Sequence, residues 1–211
     1  MSQVKVIHWF RQDLRLADNP ALYAAAKAGT VMPVFILDTQ NAGDHSMGGA
    51  SRIWCYHALQ SLSKSLHHCL AIYQGDPLMI LQQLCQQHNI QAVYWNRCYE
   101  PWRIQRDKVI KSELKIQGIQ VNTYNGSLLW EPWQVKKSDG THYKVFTPYY
   151  RKGCLMAKSP RFPLDVPDSL TTLPAPPDSL TIDALQLNNQ RSWQIDLTRS
   201  WHMSEDGGLD R

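Results

Sequence analysis

The sequence predicts an α/β domain: a doubly wound, five-stranded parallel sheet with helices on both faces, followed by an extended Pro-rich connector. Three observations carry this expectation. Five short apolar runs of strand character alternate with longer stretches of helical periodicity. Proline or an N-capping residue marks three of the helix starts. The texture then changes after Tyr150, and six of the twelve prolines fall between Pro160 and Pro177. Residues 1–150 are therefore expected to form the domain and 151–211 the connector.

Each element has its own warrant. Val4–Phe10 is an apolar run that enters a turn, Arg11–Asp18, carrying Arg11, Asp13, Arg15 and Asp18. A helix follows over Asn19–Ala28 with Pro20 at its first position. Val31–Leu37 is the second strand, and Gly49–Leu66 the second helix, striped by Cys55, Leu59, Leu62 and Leu66. Leu70–Gln74 is a strand, and Pro77–His88 a helix entered through Asp76 as N-cap. Ala92–Asn96 leads into the helix Pro101–Gln117, which Gly118 closes, and Gln120–Tyr124 is the last strand. The pattern is Rossmann-like. Beyond Tyr150 the chain reads as partly polyproline, with Leu185, Leu187, Trp193, Ile195, Leu197 and Trp201 as isolated anchors. Trypsin is expected to cut first in the segment from about Pro160, with Arg161, Arg191 and Arg199 as reporters.

Composition narrows the class. Hydrophobic content of 43% and charged content of 19% suit a globular protein, and no apolar run approaches the ~20 residues of a membrane span. The start lacks a secretory signal, so a cytoplasmic location is expected. Five scattered cysteines without a C-x-x-C motif read as reduced thiols. Eight histidines do not cluster at ligand spacing, so no metal is expected. The net charge of +4 hides a gradient: residues 101–160 carry eleven Lys/Arg against four Asp/Glu, and 161–211 carry four against eight. That basic zone either faces an anion or is a solvated helix face bearing Arg106, Lys108, Lys111 and Lys115.

Doubly wound sheets bind ligands outside the carboxyl ends of their strands. The turns that reach this edge are Arg11–Asp18, Asp38–Arg52, Gly75–Asp76 and Arg97–Arg106. None holds G-x-G-x-x-G or a P-loop, and no G-x-S-x-G elbow marks a hydrolase. Asp38 and Arg52 are candidate pocket residues. Arg11, Asp13 and Arg15 read mainly as an ion-pair brace, with ligand contact by Arg11 as the alternative. Trp54 and Phe146 read as core.

Three segments carry a resemblance. The first is Trp9-Phe10-Arg11-Gln12-Asp13-Leu14-Arg15-Leu16-Ala17-Asp18-Asn19. The second is Tyr94-Trp95-Asn96-Arg97-Cys98-Tyr99-Glu100-Pro101-Trp102, and the third Tyr143-Lys144-Val145-Phe146-Thr147-Pro148-Tyr149-Tyr150-Arg151. Together they resemble the amino-terminal, antenna-binding domain of the DNA photolyase/cryptochrome family. The resemblance implies an antenna chromophore in the crevice, with Glu100, Trp102 and Arg103 near it. Glu100 beside the free N–H groups of a helix start would be ionised, and either accepts from a pterin edge or merely caps the helix or pairs with Arg97 or Arg103. Trp102 would stack on a flat heterocycle, and Arg103 would meet a folate glutamate tail. Trp102-Arg103 stands where the folate branch carries Asn-Glu and where the deazaflavin branch opens its pocket with glycine at the second position. Methenyltetrahydrofolate is the expected antenna; 8-hydroxydeazaflavin, or no antenna at all, is the alternative.

The resemblance also implies what lies outside these residues. Trp201-His202-Met203-Ser204-Glu205-Asp206-Gly207 is similar to the entry of the family's helical FAD domain, with Met203-Ser204 in place of Pro-Gly and Ser204 as N-cap. The expectation is an amino-terminal domain cut off from its FAD domain. It would be a monomer, inactive alone, and would meet damaged DNA only through the parent protein, a deoxyribodipyrimidine photolyase. A cryptochrome blue-light receptor is the alternative parent, and an unrelated nucleotide-binding α/β module the third reading.

Overall fold

The computed structural model describes residues 4–188 and 192–210. The first three residues of the expected domain, the trypsin reporter Arg191 and the terminal Arg211 lie outside them. Five parallel strands, β1 (Lys5–Phe10), β2 (Thr30–Asp38), β3 (Ala71–Gly75), β4 (Ala92–Asn96) and β5 (Gln120–Tyr124), lie in the order β3-β2-β1-β4-β5. Helices α1 (Pro20–Ala28) and α2 (Gly49–Ser65) cover one face, and α3 (Pro77–His88) and α4 (Pro101–Ile116) the other. Successive residues of β1 divide between the two layers: Val6 and Phe10 join the α1/α2 core, Ile7 and Trp9 the α3/α4 core. Burial on both faces is why the strands read as continuous apolar runs. The chain winds outward from β1 through β3, then returns to β4 on the other flank of β1, which places the switch in strand order between β1 and β4.

The helix starts follow their capping residues. The Asn19 side chain accepts from the Leu22 N–H at 3.1 Å, and that of Asp76 accepts from the Leu78 N–H at 3.1 Å. Asn89, at φ 53°, ends α3 in the left-handed conformation. Pro33 sits inside a central strand, where a lost donor is normally excluded. Val31 exchanges both backbone bonds with the connector, its N–H to Thr171 O and its O from Leu173 N–H, whereas the β2–β3 register begins at Val34. The missing N–H of Pro33 therefore falls at the junction between these two partners.

The connector returns to the sheet along its whole middle stretch. Leu164 O accepts from the Asp18 N–H, and Leu180 N–H donates to Ile72 O. The Ser179 hydroxyl accepts from the Ile72 N–H at 2.8 Å. Leu185 and Leu187 are buried members of the α1/α2 core, so these two anchors are part of the domain. Past β5 a short turn, α5 (Phe146–Pro148), runs on into a π-helical stretch over Tyr149–Cys154, and α6 (Ser192–Ser200) and α7 (Glu205–Leu209) follow the connector. Ser204 caps α7 as its position suggests, accepting from the Gly207 N–H at 3.0 Å. No described helix is long and apolar enough to cross a membrane.

Candidate functional site

A crevice of ≈ 1080 Å³ opens over the carboxyl ends of β1 and β2 and the start of α4, with α2 as a wall. All six sequence candidates, Arg11, Asp38, Arg52, Glu100, Trp102 and Arg103, line it. They arrive from four segments because each follows a strand of the same sheet edge or heads the helix beyond it. A shallower hollow bounded by Gln60, His68 and Asp183 lies away from this edge and holds none of them.

The floor is a chain of alternating charges. Asp38 Oδ2 meets Arg106 Nη1 at 2.9 Å, Arg106 Nη2 meets Asp107 Oδ1 at 2.8 Å, and Asp107 Oδ2 meets Arg11 Nη1 at 2.5 Å. Burial alone would push the Asp38 carboxyl up. The N–H groups of Asn41 and Gln40 and the Arg106 guanidinium outweigh it and hold that carboxyl below its ordinary range. The guanidinium carbons of Arg11 and Arg106 stand 5.0 and 5.1 Å from the centre of the Trp9 ring. Arg11 has a 4% exposed side chain, and its Nε and Nη2 have no hydrogen-bond partner among the described residues. It braces the floor from below.

The rim is looser and more polar. Glu100 is the N-cap residue of α4 without a side-chain cap bond; it receives Gln12 Nε2 at 3.4 Å and faces Arg103 Nε at 3.7 Å. Burial raises its pKa, yet the backbone N–H groups of Glu100 and Tyr99, the Arg103 charge and Gln12 together leave it below the ordinary value. Trp102 carries two cations over its ring, Arg103 at 4.8 Å and Arg106 at 5.2 Å. Arg52 donates Nη2 to Gln186 O at 2.7 Å and has no carboxylate partner among the described residues. Cys55 on the α2 wall is an inert thiol, since burial pushes it up to about 12.

Several expectations need correction. Of the two readings of the basic zone, an anion-facing surface or a solvated helix face, the second fails at Arg106, whose side chain is only 7% exposed and pinned between two aspartates. The signal was present: Arg106 stands four and eight residues before the buried Ile110 and Leu114. Arg11, Asp13 and Arg15 do not pair with one another through their side chains. Asp13 accepts from the Arg11 N–H and from Asn96 Nδ2, while Arg15 donates to the carbonyls of Ala17, Asp18 and Gly126. Trp54 is not core: it is 43% exposed and lines the crevice, and Phe146 is 74% exposed and stacked on Tyr150. Glu131 escaped the sequence reading altogether; it accepts from Arg97 Nε and from the Tyr99 hydroxyl, both at 2.6 Å, and locks the loop beyond β5 to the end of β4. No group of three His, Cys, Asp or Glu among the described residues is placed to hold a metal.

The chain and its fold have counterparts. A family described as DNA photolyase matches residues 6–173. The deoxyribodipyrimidine photo-lyase of Agrobacterium fabrum is 37% identical over 211 residues, covering 98% of this chain and 43% of the relative. Cryptochrome-2 of Arabidopsis thaliana is 34% identical over 206 residues, covering 93% and 34%. Among solved structures, a bacterial class III photolyase from Agrobacterium tumefaciens superposes with a TM-score of 0.91 at 35% identity, over 100% of this chain and 44% of that one. The Synechocystis sp. PCC6803 cryptochrome gives 0.71 at 27%, over 84% and 40%. The chain thus spans less than half the length of these relatives.

Proposed function

This chain belongs to the DNA photolyase family, and we propose that it is the antenna-binding α/β domain of a deoxyribodipyrimidine photolyase. The observation that carries the reading is the convergence of six residues from four segments on one crevice at the carboxyl edge of the sheet. The photolyase reading is preferred to the cryptochrome one because the bacterial class III photolyase agrees more closely, at a TM-score of 0.91 against 0.71, and at higher identity. Under this reading FAD and damaged DNA belong to the portion of the family's length that the chain does not span.

The chromophore we infer is methenyltetrahydrofolate, whose role would be absorption of near-ultraviolet or blue light. The residues present fit it. Trp54 and Trp102 offer aromatic surface on facing elements, α2 and α4. Glu100, ionised and only weakly engaged, suits the paired N–H donors of a pterin edge. Arg52 and Arg103 suit carboxylates of a glutamate tail. Arg103 also leans over Trp102 and fills the space that glycine leaves open for a deazaflavin, which favours folate over 8-hydroxydeazaflavin.

Titration of the protein with methenyltetrahydrofolate, followed by its absorbance and fluorescence, tests this. Saturable binding is expected, with Glu100→Ala and Trp102→Ala each weakening it about tenfold, as loss of one charge-assisted or stacking contact does. Absence of saturable binding, or tighter binding of 8-hydroxydeazaflavin, would overturn the folate assignment. Stoichiometric retention of FAD through gel filtration would overturn the division of cofactors.

A further inference from the structure

The last described segment grips both sides of the crevice. Glu205 presents one oxygen to each of two successive backbone donors: Oε2 accepts from the Leu16 N–H at 2.8 Å and Oε1 from the Ala17 N–H at 2.7 Å. That turn begins with Arg11, Gln12 and Leu14, which line the crevice. The same short helix, α7, packs on α2. Just before it, Trp201 meets Trp54 edge-on with ring centres 5.7 Å apart, and Trp54 lines the opposite side. Trp193 on α6 covers Gly49 so closely that a Cβ there would lie 3.2 Å from the indole.

The attachment is built, not incidental. Met203 is buried, and Ser204 caps the helix from the residue before Glu205. A five-residue helix has no stability of its own. Its position is set by what it holds. α2 needs such a support at its crevice end, since Gly48 supplies no side-chain cap and the first three residues of the helix are exposed.

We propose, resting on the antenna reading above, that Glu205 is a positioning residue for the crevice. It ties the β1–α1 turn to α7, α7 and Trp201 hold the crevice end of α2, and the spacing between turn and α2 depends on that tie. Chromophore affinity is thereby controlled by a carboxylate that does not line the site.

Two measurements on the whole chain decide it. Glu205→Ala should raise hydrogen exchange at Leu16 and Ala17 and also across residues 49–55 of α2. Glu205→Gln, which keeps the shape and one oxygen acceptor, should restore most of the protection at 49–55. Far-ultraviolet circular dichroism should stay unchanged in both. Methenyltetrahydrofolate should bind Glu205→Ala about tenfold more weakly, with Glu205→Gln in between. Faster exchange at 16–17 alone, or binding within twofold of the unsubstituted chain, would overturn the positioning role. If the unsubstituted chain binds no folate, the antenna reading falls, and the exchange at 49–55 still decides whether Glu205 couples the two sides. Should Glu205→Ala unfold, Glu205→Asp takes its place, its carboxylate being one methylene too short to span the Leu16 and Ala17 N–H groups; exchange at 49–55 and folate binding both equal to those of the unsubstituted chain would then overturn the coupling.

Discussion

Asp38 and Arg106 form an ion pair at 2.9 Å across 68 residues of sequence, each with a side chain only 7% exposed. It joins the end of β2 to α4, on the opposite side of the chain's outward winding. Removing one member of such a buried pair normally leaves a charge without compensation. Here Arg106 keeps Asp107.

Asp38→Asn should therefore destabilise the fold by about 2–3 kcal/mol, short of the ~3–5 kcal/mol typical for a buried pair broken outright. Urea denaturation at neutral pH measures it. The sign of the pH effect follows from the depressed pKa of Asp38. A carboxyl held low in the folded state contributes in full above its unfolded-state value and loses that contribution as pH falls through the folded one. Stability should decline below about pH 4, and less steeply in Asp38→Asn.

His8 lies in the middle of β1, fully buried, edge-on to Phe10. Burial, with a smaller push from Arg11 against the pull of Asp13, lowers its pKa from 6.5 to about 4. The folded state thus holds a neutral imidazole while the unfolded chain takes up a proton. Stability is complete above about pH 6.5 and falls between there and about pH 4, by about 3 kcal/mol at the lower end. His8→Asn should flatten the stability profile in that window; an equal slope in both proteins would place the titration elsewhere.

Gly126 must have no side chain. A Cβ there would lie 2.5 Å from Asn96 Cγ, and Asn96 is the buried hub that accepts from the Ala21 N–H and donates to Asp13 and Asn19. Gly126→Ala should cost about 2–4 kcal/mol by displacing that amide and leaving its partners unmet. A thermal midpoint within a degree of the parent protein would show that the β5 loop yields instead.

The connector should behave as part of the domain. Leu185→Ala, in the α1/α2 core at 2% exposure, should destabilise by about 2–4 kcal/mol. Trypsin should cut first in the exposed segment between β5 and the connector, at Lys136, Lys144 or Lys158 or in the helical stretch bearing Arg151 and Lys152. Arg161, paired with Asp18, should survive longer, which reverses the order expected from proline content. Mass spectrometry of the first fragments distinguishes the two orders.

Much of the fold was legible because its signals are local. The apolar runs, the helix start at Pro20, the cap at Asp76 and the stop at Gly118 each depend on a few neighbouring residues, and all have their counterparts in the structure. The candidate residues converged because crevice loops in such sheets follow strands, and strands could be found. Pairing was not legible. Arg11 stands beside Asp13 in sequence but finds Asp107, and Arg15 stands between Asp13 and Asp18 but mostly meets carbonyls. Proline content likewise reported a lack of ladder hydrogen bonds, and said nothing of the carbonyls, N–H groups and hydroxyl through which the connector docks.

By itself, then, the sequence determined which segments up to Tyr124 are strands and helices, the alternation that makes the sheet parallel, and the family motifs on its carboxyl edge, but not the helices at Tyr149–Cys154 and Ser192–Ser200. Those properties are carried by hydrophobic period and backbone preference within single segments. Tertiary structure alone decided that Arg106 is buried, that Trp54 faces the crevice, and that Glu205 caps a turn 188 residues before it. Each depends on which segments the β3-β2-β1-β4-β5 order brings side by side. A charge buried in that way gains a partner only through the packing that removes it from water, and no local pattern records which partner it will be.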